Sequence, residues 1–309
     1  MHASLPWVWA NFTRKNRFMT WKRVATALVL IPVVVGLVLF TPTWAVALAT
    51  AVITVLALWE YFALGEAIGQ RAYRGWTTFS ALLIIFAQWR VTLNELNGLF
   101  KSEYRIRSDF YILSRGPFTL VDTLILYVIG VTILTLWTKR PFVESLPAAG
   151  ISSSSLLLVA LPLSYAVRLH GMGTGGPKVL LLALVLTWAA DSTAYFVGRA
   201  IGKHPLAPHL SPKKTWEGSV GSMIGSLLVG WAFSYWIRMP LGHLLAMAVV
   251  GNVAGQMGDL LESAYKRSAG VKDSGGLLPG HGGILDRIDA LILCIPVVWY
   301  YVVIVNPKM

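Results

Sequence analysis

The densest group of side chains capable of chemistry lies between Ser263 and Asp289. Its titratable members are Lys266, Arg267, Lys272, Asp273, His281, Asp286, Arg287 and Asp289, and its glycines are Gly275, Gly276, Gly280, Gly282 and Gly283. Carboxylates bind divalent cations, lysine and arginine bind phosphate oxygens, and glycine lets backbone N–H groups approach a phosphate closely. The segment therefore predicts phosphate chemistry assisted by a divalent cation. A flexible loop between two helices is the simpler alternative.

Helical spacing predicts three polar faces near the ends of helices. They comprise Asp259, Glu262, Ser263 and Lys266; Asp286 and Asp289; and Asp191, Ser192, Tyr195 and Arg199. Members of each set recur at intervals that bring side chains to one side of an α-helix. Several carboxylates at one level suit Mg²⁺ bound to phosphate. Any single acid is explained as easily by a helix cap or an ion pair.

A second polar loop precedes an apolar run and reads Ser211-Pro212-Lys213-Lys214-Thr215-Trp216-Glu217-Gly218. Its adjacent lysines can bind triphosphate oxygens, and either Ser211 or Thr215 is expected to cap the following helix. Taken alone, the two lysines are also explained as a positive anchor at the cytoplasmic face of a membrane.

The chain as a whole is too apolar for a soluble protein. It has 309 residues, of which 56% are hydrophobic and 13% charged, and its mean hydropathy is +0.64. Apolar runs suited to crossing a bilayer lie at about 23–40, 44–64, 76–89, 118–137, 151–168, 179–198, 219–237, 241–265 and 287–305. The predicted fold class is an all-α polytopic membrane protein with about nine spans, of which 76–89 is the weakest candidate.

Basic residues predict the orientation. With nine spans and a cytoplasmic N-terminus, most of the 26 Lys and Arg residues fall on the inner side, as the positive-inside rule requires. This arrangement places the loops 199–218 and 266–286 together on the cytoplasmic face. The basic connection 90–117 then lies outside, and the topology after it inverts unless 76–89 crosses the membrane.

The acidic residues predict how the chain is divided. Half of its 14 acidic residues lie in the C-terminal part, which therefore looks like the site, while the N-terminal part looks like scaffold. We predict a basic cytoplasmic segment at 1–22, a transmembrane scaffold at 23–178 and a catalytic transmembrane domain at 179–309.

Several other classes of partner and site are disfavoured. The net charge of +12 is explained by anionic lipid headgroups and phosphates, because no soluble basic domain or aromatic RNA-binding motif points to nucleic acid. The single cysteine, Cys294, excludes a disulfide or a thiolate metal cluster within the chain. Gly221, Gly225 and Gly230 predict a helix-packing face, which allows a homodimer without requiring one.

The polar segments resemble the signature of the phosphatidate cytidylyltransferases, also called CDP-diacylglycerol synthases. That signature runs Ser, two residues, Lys-Arg, four residues, Lys-Asp, a glycine-containing stretch, His-Gly-Gly, two residues, then Asp-Arg, one residue and Asp. It is met by Ser263, Lys266, Arg267, Lys272, Asp273, His281, Gly282, Gly283, Asp286, Arg287 and Asp289. The segments 191–199 and 211–218 are also similar to the family, so the resemblance is strong over about 179–305. Tyr265, where the family usually has an aliphatic residue or Met, and the connection 90–117 depart from the pattern.

The resemblance implies transfer of a cytidylyl group from CTP to phosphatidic acid, giving CDP-diacylglycerol and pyrophosphate, at the cytoplasmic face of a bacterial inner membrane. It implies that Asp259 and Asp286 bind Mg²⁺ and that Asp289 and Glu262 complete or orient that shell, with a second cation left open. The expected catalytic residues are Lys266, Arg267, Lys272, Asp273, His281 and Arg287. The expected substrate contacts are Asp191, Tyr195, Ser211, Lys213, Lys214, Thr215, Glu217, Ser263, Gly282 and Gly283.

Two other functions stay open at this point. A CTP-dependent lipid kinase can share the same phosphate-binding groups but transfers the γ-phosphoryl group and releases CDP instead of pyrophosphate. A secondary transporter uses intramembrane acids to relay ions. The clustering of charges at one membrane face and the lack of an inverted repeat in the sequence disfavour transport.

Overall fold

The computed structural model describes residues 28–101, 119–277 and 282–305, with backbone only for 94–101. The predicted segment 1–22, most of the connection 90–117 and His281 lie outside these residues. The helices are α1 (Leu28–Phe40), α2 (Thr43–Ala67), α3 (Arg74–Lys101), α4 (Leu120–Trp137), α5 (Ser145–Ser155), α6 (Leu161–His170), α7 (Gly176–Ile201), α8 (Trp216–Phe233), α9 (Leu241–Ser268) and α10 (Leu285–Val305). A π turn, Leu156–Ala160, joins α5 to α6.

The prediction of a multi-pass helical membrane protein is confirmed. Within the described residues, six stretches are long and apolar enough to cross a membrane, namely Thr43–Ala67, Leu120–Trp137, Phe142–His170, Gly173–Ile201, Leu241–Ser268 and Leu285–Val305. Many large apolar side chains point outward, among them Val121 and Val128 of α4, which suits contact with lipid. The remaining three predicted runs fall on α1, α3 and α8, so the count of nine spans stays a prediction.

A short β-hairpin interrupts the helices, and the sequence did not predict it. Strands β1 (Pro205–Ala207) and β2 (Ser211–Thr215) pair antiparallel between α7 and α8, with an irregular register between Pro205 and Ala207. The second strand contains the paired lysines of the polar loop. The hairpin thus gives an extended, ordered backbone to a segment that composition alone indicated as loop.

Helices α7 and α8 approach closely along the small-residue face. A Cβ atom placed on Gly221 would lie 2.6 Å from the side chain of Val197, and one on Gly225 would collide with Thr193. The helix-packing role predicted for these glycines is therefore confirmed, and the packing partner is α7 of the same chain. A homodimer would have to use a different surface.

Helices α3 and α4 run antiparallel. Trp76 Nε1 at the start of α3 donates to the carbonyl oxygen of Tyr127 in α4 at 3.1 Å, and the hydroxyls of Tyr73 and Thr135 lie 3.1 Å apart. The start of α3 therefore lies beside the end of α4. Because α4 is long and apolar enough to span the membrane, the face at which α4 ends is also the face at which α3 begins.

One continuous apolar core joins the two predicted parts of the chain. It includes Phe62 of α2, Leu163 of α6 and Leu291 of α10, all of which are buried. Helix α10 packs against α6 and α2 as well as against α9. At the closest point between α9 and α10, a Cβ on Gly258 would collide with the carbonyl oxygen of Asp289. The C-terminal helices are thus held in place by the N-terminal ones.

Candidate active site

A cavity of about 490 Å³ opens between α7, α8, α9 and the β-hairpin. Its polar lining consists of Thr187, Asp191, Tyr195, Arg199, Lys213, Lys214, Thr215, Ser219, Ser222, Asn252, Gln256 and Asp259. Its apolar lining includes Leu186, Ala190, Ala194, Leu206 and Ala290. Two segments that the sequence analysis singled out, 191–199 and 211–218, therefore meet at one cavity. They are brought together by the close α7–α8 packing.

Thr215 fixes the geometry of the loop that holds the paired lysines. Its Oγ1 accepts a hydrogen bond from Gly218 N at 3.1 Å and caps the N-terminus of α8. Of the two predicted caps, Thr215 is therefore confirmed, while Ser211 is the first residue of β2. The cap places Lys213 and Lys214 immediately before the helix, where an anion is favoured by the helix dipole.

Lys214 and Asp259 form an ion pair across the cavity, and each side chain is 27% exposed. Asp191 interacts electrostatically with Asp259, Lys214 and Arg287. Asp289 interacts in turn with both Asp259 and Asp191. Three acidic residues from α7, α9 and α10 thus influence one another, whereas Asp286, the predicted partner of Asp259 at the metal, does not line this cavity.

A second charged cluster lies beside the first and is centred on Lys266. Its Nζ donates to Asp286 Oδ1 at 2.6 Å and also pairs with Glu262, which is buried. Lys266 was predicted to bind the triphosphate. In this structure its charge is neutralised by the carboxylates of Asp286 and Glu262. Residues of this cluster do not line the described cavity.

The Asp286 carboxylate is occupied mainly by its own loop. Its Oδ2 accepts hydrogen bonds from Ser274 N at 3.0 Å, Ser274 Oγ at 3.0 Å and Gly283 N at 2.8 Å. Gly282 has a φ of +79°, a conformation that a residue with a side chain rarely adopts. The glycine loop was predicted to present backbone N–H groups to a phosphate, but in this structure the N–H groups of Ser274 and Gly283 face a protein carboxylate.

Glu60 is a site-forming residue that the sequence analysis missed. It lies in α2, is 6% exposed, and accepts hydrogen bonds from Ile284 N at 2.9 Å, Leu285 N at 2.8 Å and Ser274 Oγ at 2.9 Å. The only signal available in the sequence was a lone carboxylate within an otherwise apolar run. Such a residue needs buried partners. The sequence does not show that these partners belong to the connection between α9 and α10, which carries much of the signature and is called the signature loop below.

A ladder of neutral polar groups lines the cavity between α8 and α9. Ser219 Oγ donates to Gln256 Oε1 at 2.5 Å, and Gln256 Nε2 donates to Asn252 Oδ1 at 2.6 Å. Asn252 Nδ2 then donates to the hydroxyls of Ser222 at 2.6 Å and Ser226 at 2.8 Å. The sequence analysis did not identify this ladder, because the amide partners of the serines lie on another helix.

Tyr195 and Glu217, two predicted substrate contacts, also have protein partners. Tyr195 lines the cavity, and its hydroxyl accepts from Arg199 Nη1 at 2.8 Å. Glu217 lies in the first turn of α8, just before the predicted span 219–237. Its Oε1 is 2.6 Å from Nδ1 of His204, which precedes β1. This hydrogen bond is the main reason that the pKa of Glu217 is lowered to about 2.

The remaining predicted catalytic residues lie around the loop. Arg267 Nε donates to the carbonyl oxygen of Leu210 at 3.2 Å and so connects α9 to the β-hairpin. Lys272, Asp273 and Arg287 are exposed, and Ser263 is half-buried on α9. Exposure leaves Lys272 and Arg287 available to an anionic ligand.

The donor set is compatible with magnesium. Among the described residues, no three His, Cys, Asp or Glu side chains come together closely enough to hold a metal ion by themselves. Mg²⁺, however, is usually bound by one or two carboxylates together with substrate phosphates and water. Asp259, facing the cavity beside Asp191 and Asp289, fits that requirement.

Comparison with known proteins shows the family of this chain. A model of the cytidylyltransferase family matches residues 21–305. The chain belongs to this family. The match includes α2 and its Glu60 as well as the cavity, so it extends well beyond the signature segment. The resemblance predicted from the signature is confirmed.

Bacterial relatives support the same assignment. The phosphatidate cytidylyltransferase of Haemophilus influenzae is 33% identical over 296 residues, which cover 91% of this chain and 97% of the relative. That of Bacillus subtilis strain 168 is 37% identical over 153 residues, covering 49% of this chain and 57% of the relative. That of Staphylococcus aureus strain COL is 45% identical over 123 residues, covering 39% and 47%. These names confirm the prediction of a nucleotidyltransferase.

Proposed function

We propose that this chain transfers the cytidylyl group of CTP to phosphatidic acid, giving CDP-diacylglycerol and pyrophosphate. The observation that carries the proposal is the cavity that combines Lys213, Lys214 and Asp259 with apolar walls formed within membrane-spanning helices. Such a cavity suits a substrate with a phosphate head and an apolar body. The family match over nearly the whole chain supports the same reaction.

The reaction joins two anionic groups, so the protein has to reduce their repulsion. A phosphate oxygen of the lipid forms a bond to the α-phosphorus of CTP, while the bond between the α-phosphorus and the bridging oxygen to the β-phosphorus breaks. Pyrophosphate leaves with that bridging oxygen. Lys213 and Lys214, just before α8, with the exposed Arg287 nearby, are the cations placed to hold these phosphates. No general base is needed, because a phosphate monoester is largely ionised near neutral pH.

Magnesium belongs to this proposal as the expected cofactor. When bound, Mg²⁺ would neutralise phosphate charge and orient the triphosphate. Asp259 would hold it, with Asp191 and Asp289 alongside. Asp286 has one oxygen left for this role, the one that now accepts from Lys266, because three donors already occupy the other. Glu262, which pairs with Lys266, would orient that lysine.

Nine spans and a cytoplasmic site in the inner membrane complete the proposal. Arg140 Nη1, just after α4, donates to the carbonyl oxygen of Arg71, just before α3, at 2.7 Å. This contact supports a crossing by α3, because α4 returns to the face from which α3 departs. Glu60 lies near the end of α2, which is the cytoplasmic end in the nine-span topology. Its contact with the signature loop supports placing that loop on the cytoplasmic face as well. CTP is expected to enter from the cytoplasm and phosphatidic acid from the bilayer.

The decisive assay uses purified protein with CTP labelled on the α-phosphate, phosphatidic acid and Mg²⁺. We expect the label in a lipid product, together with release of pyrophosphate. Release of CDP and transfer of label only from the γ-position would indicate a lipid kinase instead. Flux of a solute into liposomes without nucleotide consumption would indicate transport.

A further inference from the structure

Glu60 is a buried carboxylate that caps a helix far away in the sequence. Its two oxygens accept the backbone N–H groups of Ile284 and Leu285 at the start of α10, where a negative charge is favoured by the helix dipole. A buried charge is costly unless hydrogen bonds compensate it, and Glu60 has three such bonds. The first turn of α10 is therefore held by a residue of α2.

The signature loop is shaped around this side chain. A Cβ on Gly275 would lie 2.5 Å from Glu60 Oε1, and a Cβ on Gly283 would collide with Glu60 Oε2. A side chain at either position would clash with Glu60, and this clash explains both glycines without a ligand. The space that their missing side chains leave is filled by a carboxylate from the predicted scaffold.

Ser274 connects Glu60 to Asp286. The Ser274 hydroxyl lies 2.9 Å from Glu60 Oε2 and 3.0 Å from Asp286 Oδ2. A hydroxyl has one proton, so it donates to one of the two carboxylates at a time. The position of Asp286, and of Lys266 which Asp286 holds, therefore depends on where Glu60 fixes the loop.

From these contacts we infer that Glu60 is a positioning residue for cytidylyl transfer. It holds residues 274–275 and 283–285, and through Ser274 it fixes the orientation of Asp286 and Lys266, without contacting substrate. The catalytic part of the inference rests on the proposed function, whereas the loop conformation does not. The predicted N-terminal scaffold accordingly contributes a residue on which the site depends.

The test compares Glu60→Gln with Glu66→Gln on the same helix. In Glu60→Gln, the new side-chain amide would turn an N–H group toward the N–H donors of α10. Glu66 is the matched control, because it is exposed and pairs with Arg74 outside the loop. We expect Glu60→Gln to lower kcat by about tenfold or more while KM for CTP changes by about twofold or less. Glu66→Gln should behave as the unmodified protein, and Glu60→Asp, which keeps the charge, should recover part of kcat.

A second measurement reports the loop without using activity. The natural Cys294 is fully buried, so a cysteine placed at half-buried Ile284 can be labelled selectively by a maleimide. We expect Ile284→Cys to react about tenfold faster when combined with Glu60→Gln than when combined with Glu66→Gln. This result should hold even if the protein proves to catalyse a different reaction, so the two proposals fail independently.

Three outcomes overturn the inference. One is specific activity of Glu60→Gln above half that of the unmodified protein. Another is an unchanged labelling rate at Ile284→Cys. The third is a thermal transition that falls while the folded fraction keeps its full kcat, which would indicate a role in stability alone. If Glu60→Gln does not accumulate, the activity criterion is applied to Ser274→Ala, which removes the hydroxyl that connects Glu60 to Asp286.

Discussion

Lys214 of β2 and Asp259 of α9 form an ion pair across the cavity, and both side chains are partly exposed. The pair joins a residue expected to bind the triphosphate to one expected to bind magnesium. We expect each partner to neutralise the other until CTP with bound magnesium, which carries both charges, replaces them. This exchange requires no net burial of an unpaired charge, which would be costly.

Lys214→Gln should raise KM for CTP and lower the Mg²⁺ concentration that gives half-maximal activity. Loss of the ammonium group removes a phosphate contact, so we expect KM for CTP to rise by about tenfold. It also removes a competitor for Asp259, so the Mg²⁺ concentration for half-maximal activity should fall. Steady-state kinetics at varied CTP and Mg²⁺ measure both, with Lys213→Gln as the control that keeps the ion pair. A parallel rise in both constants would contradict the proposed exchange.

Asp259→Asn should abolish turnover without unfolding the protein. The side chain faces the cavity, and an amide keeps its size while losing the charge that would bind magnesium. We expect activity to fall by at least about a hundredfold, with little change in the melting temperature in detergent. Retention of more than a tenth of the activity, at saturating CTP and Mg²⁺, would remove Asp259 from the proposed ligands.

Asp286→Asn should lower stability as well as activity. Its oxygens accept from Lys266, Ser274 and Gly283, and an amide leaves Lys266 with a weaker partner. A lost charged hydrogen bond in a partly buried site typically costs about 1.5–3 kcal/mol. We expect a clear drop in the melting temperature of Asp286→Asn relative to Asp259→Asn. Equal melting temperatures for the two variants would argue that Asp286 acts only on a cofactor or substrate.

Asn252→Leu should destabilise the interface between α8 and α9. Asn252 donates to Ser222 and Ser226 and accepts from Gln256, so its loss leaves buried polar groups without partners. Each unsatisfied group costs about 1–3 kcal/mol. Thermal unfolding should reveal the loss, and Ser226→Ala, which removes one hydrogen bond, should have a smaller effect. A leucine variant as stable as Ser226→Ala would show that the ladder contributes little.

The proposed nine-span topology makes a labelling prediction. Single cysteines at exposed Lys213 and Asp273 should face the cytoplasm, and cysteines at exposed Thr174 and Arg238 should face outward. A membrane-impermeant maleimide added to intact cells should therefore modify only the second pair until the membrane is permeabilised. The reverse pattern would indicate that α3 does not cross.

Local residue patterns were sufficient to predict the helical class and the family, whereas the roles of the site residues stay predictions. Apolar run length predicts membrane helices because the bilayer sets the length that a helix needs. Thr215 was identified as a cap candidate, and the glycines of α8 as packing residues, because each prediction depends on neighbours a few positions away. The prediction also grouped Asp259, Glu262, Asp286 and Asp289 at one metal ion, and this grouping stays a prediction.

Only the tertiary structure revealed which groups pair. It shows Asp286 engaged by its own loop, Lys266 held by two carboxylates, and Glu60 supporting the start of α10 from α2. The contacts of Glu60 with α10 and of Lys266 with Asp286 join residues that are 20 or more positions apart. The choice of hydrogen-bond partner depends on distances of a few tenths of an ångström that no periodicity encodes. An isolated glutamate in an apolar run signals that a buried partner must exist, whereas the identity of that partner is decided by how the helices pack.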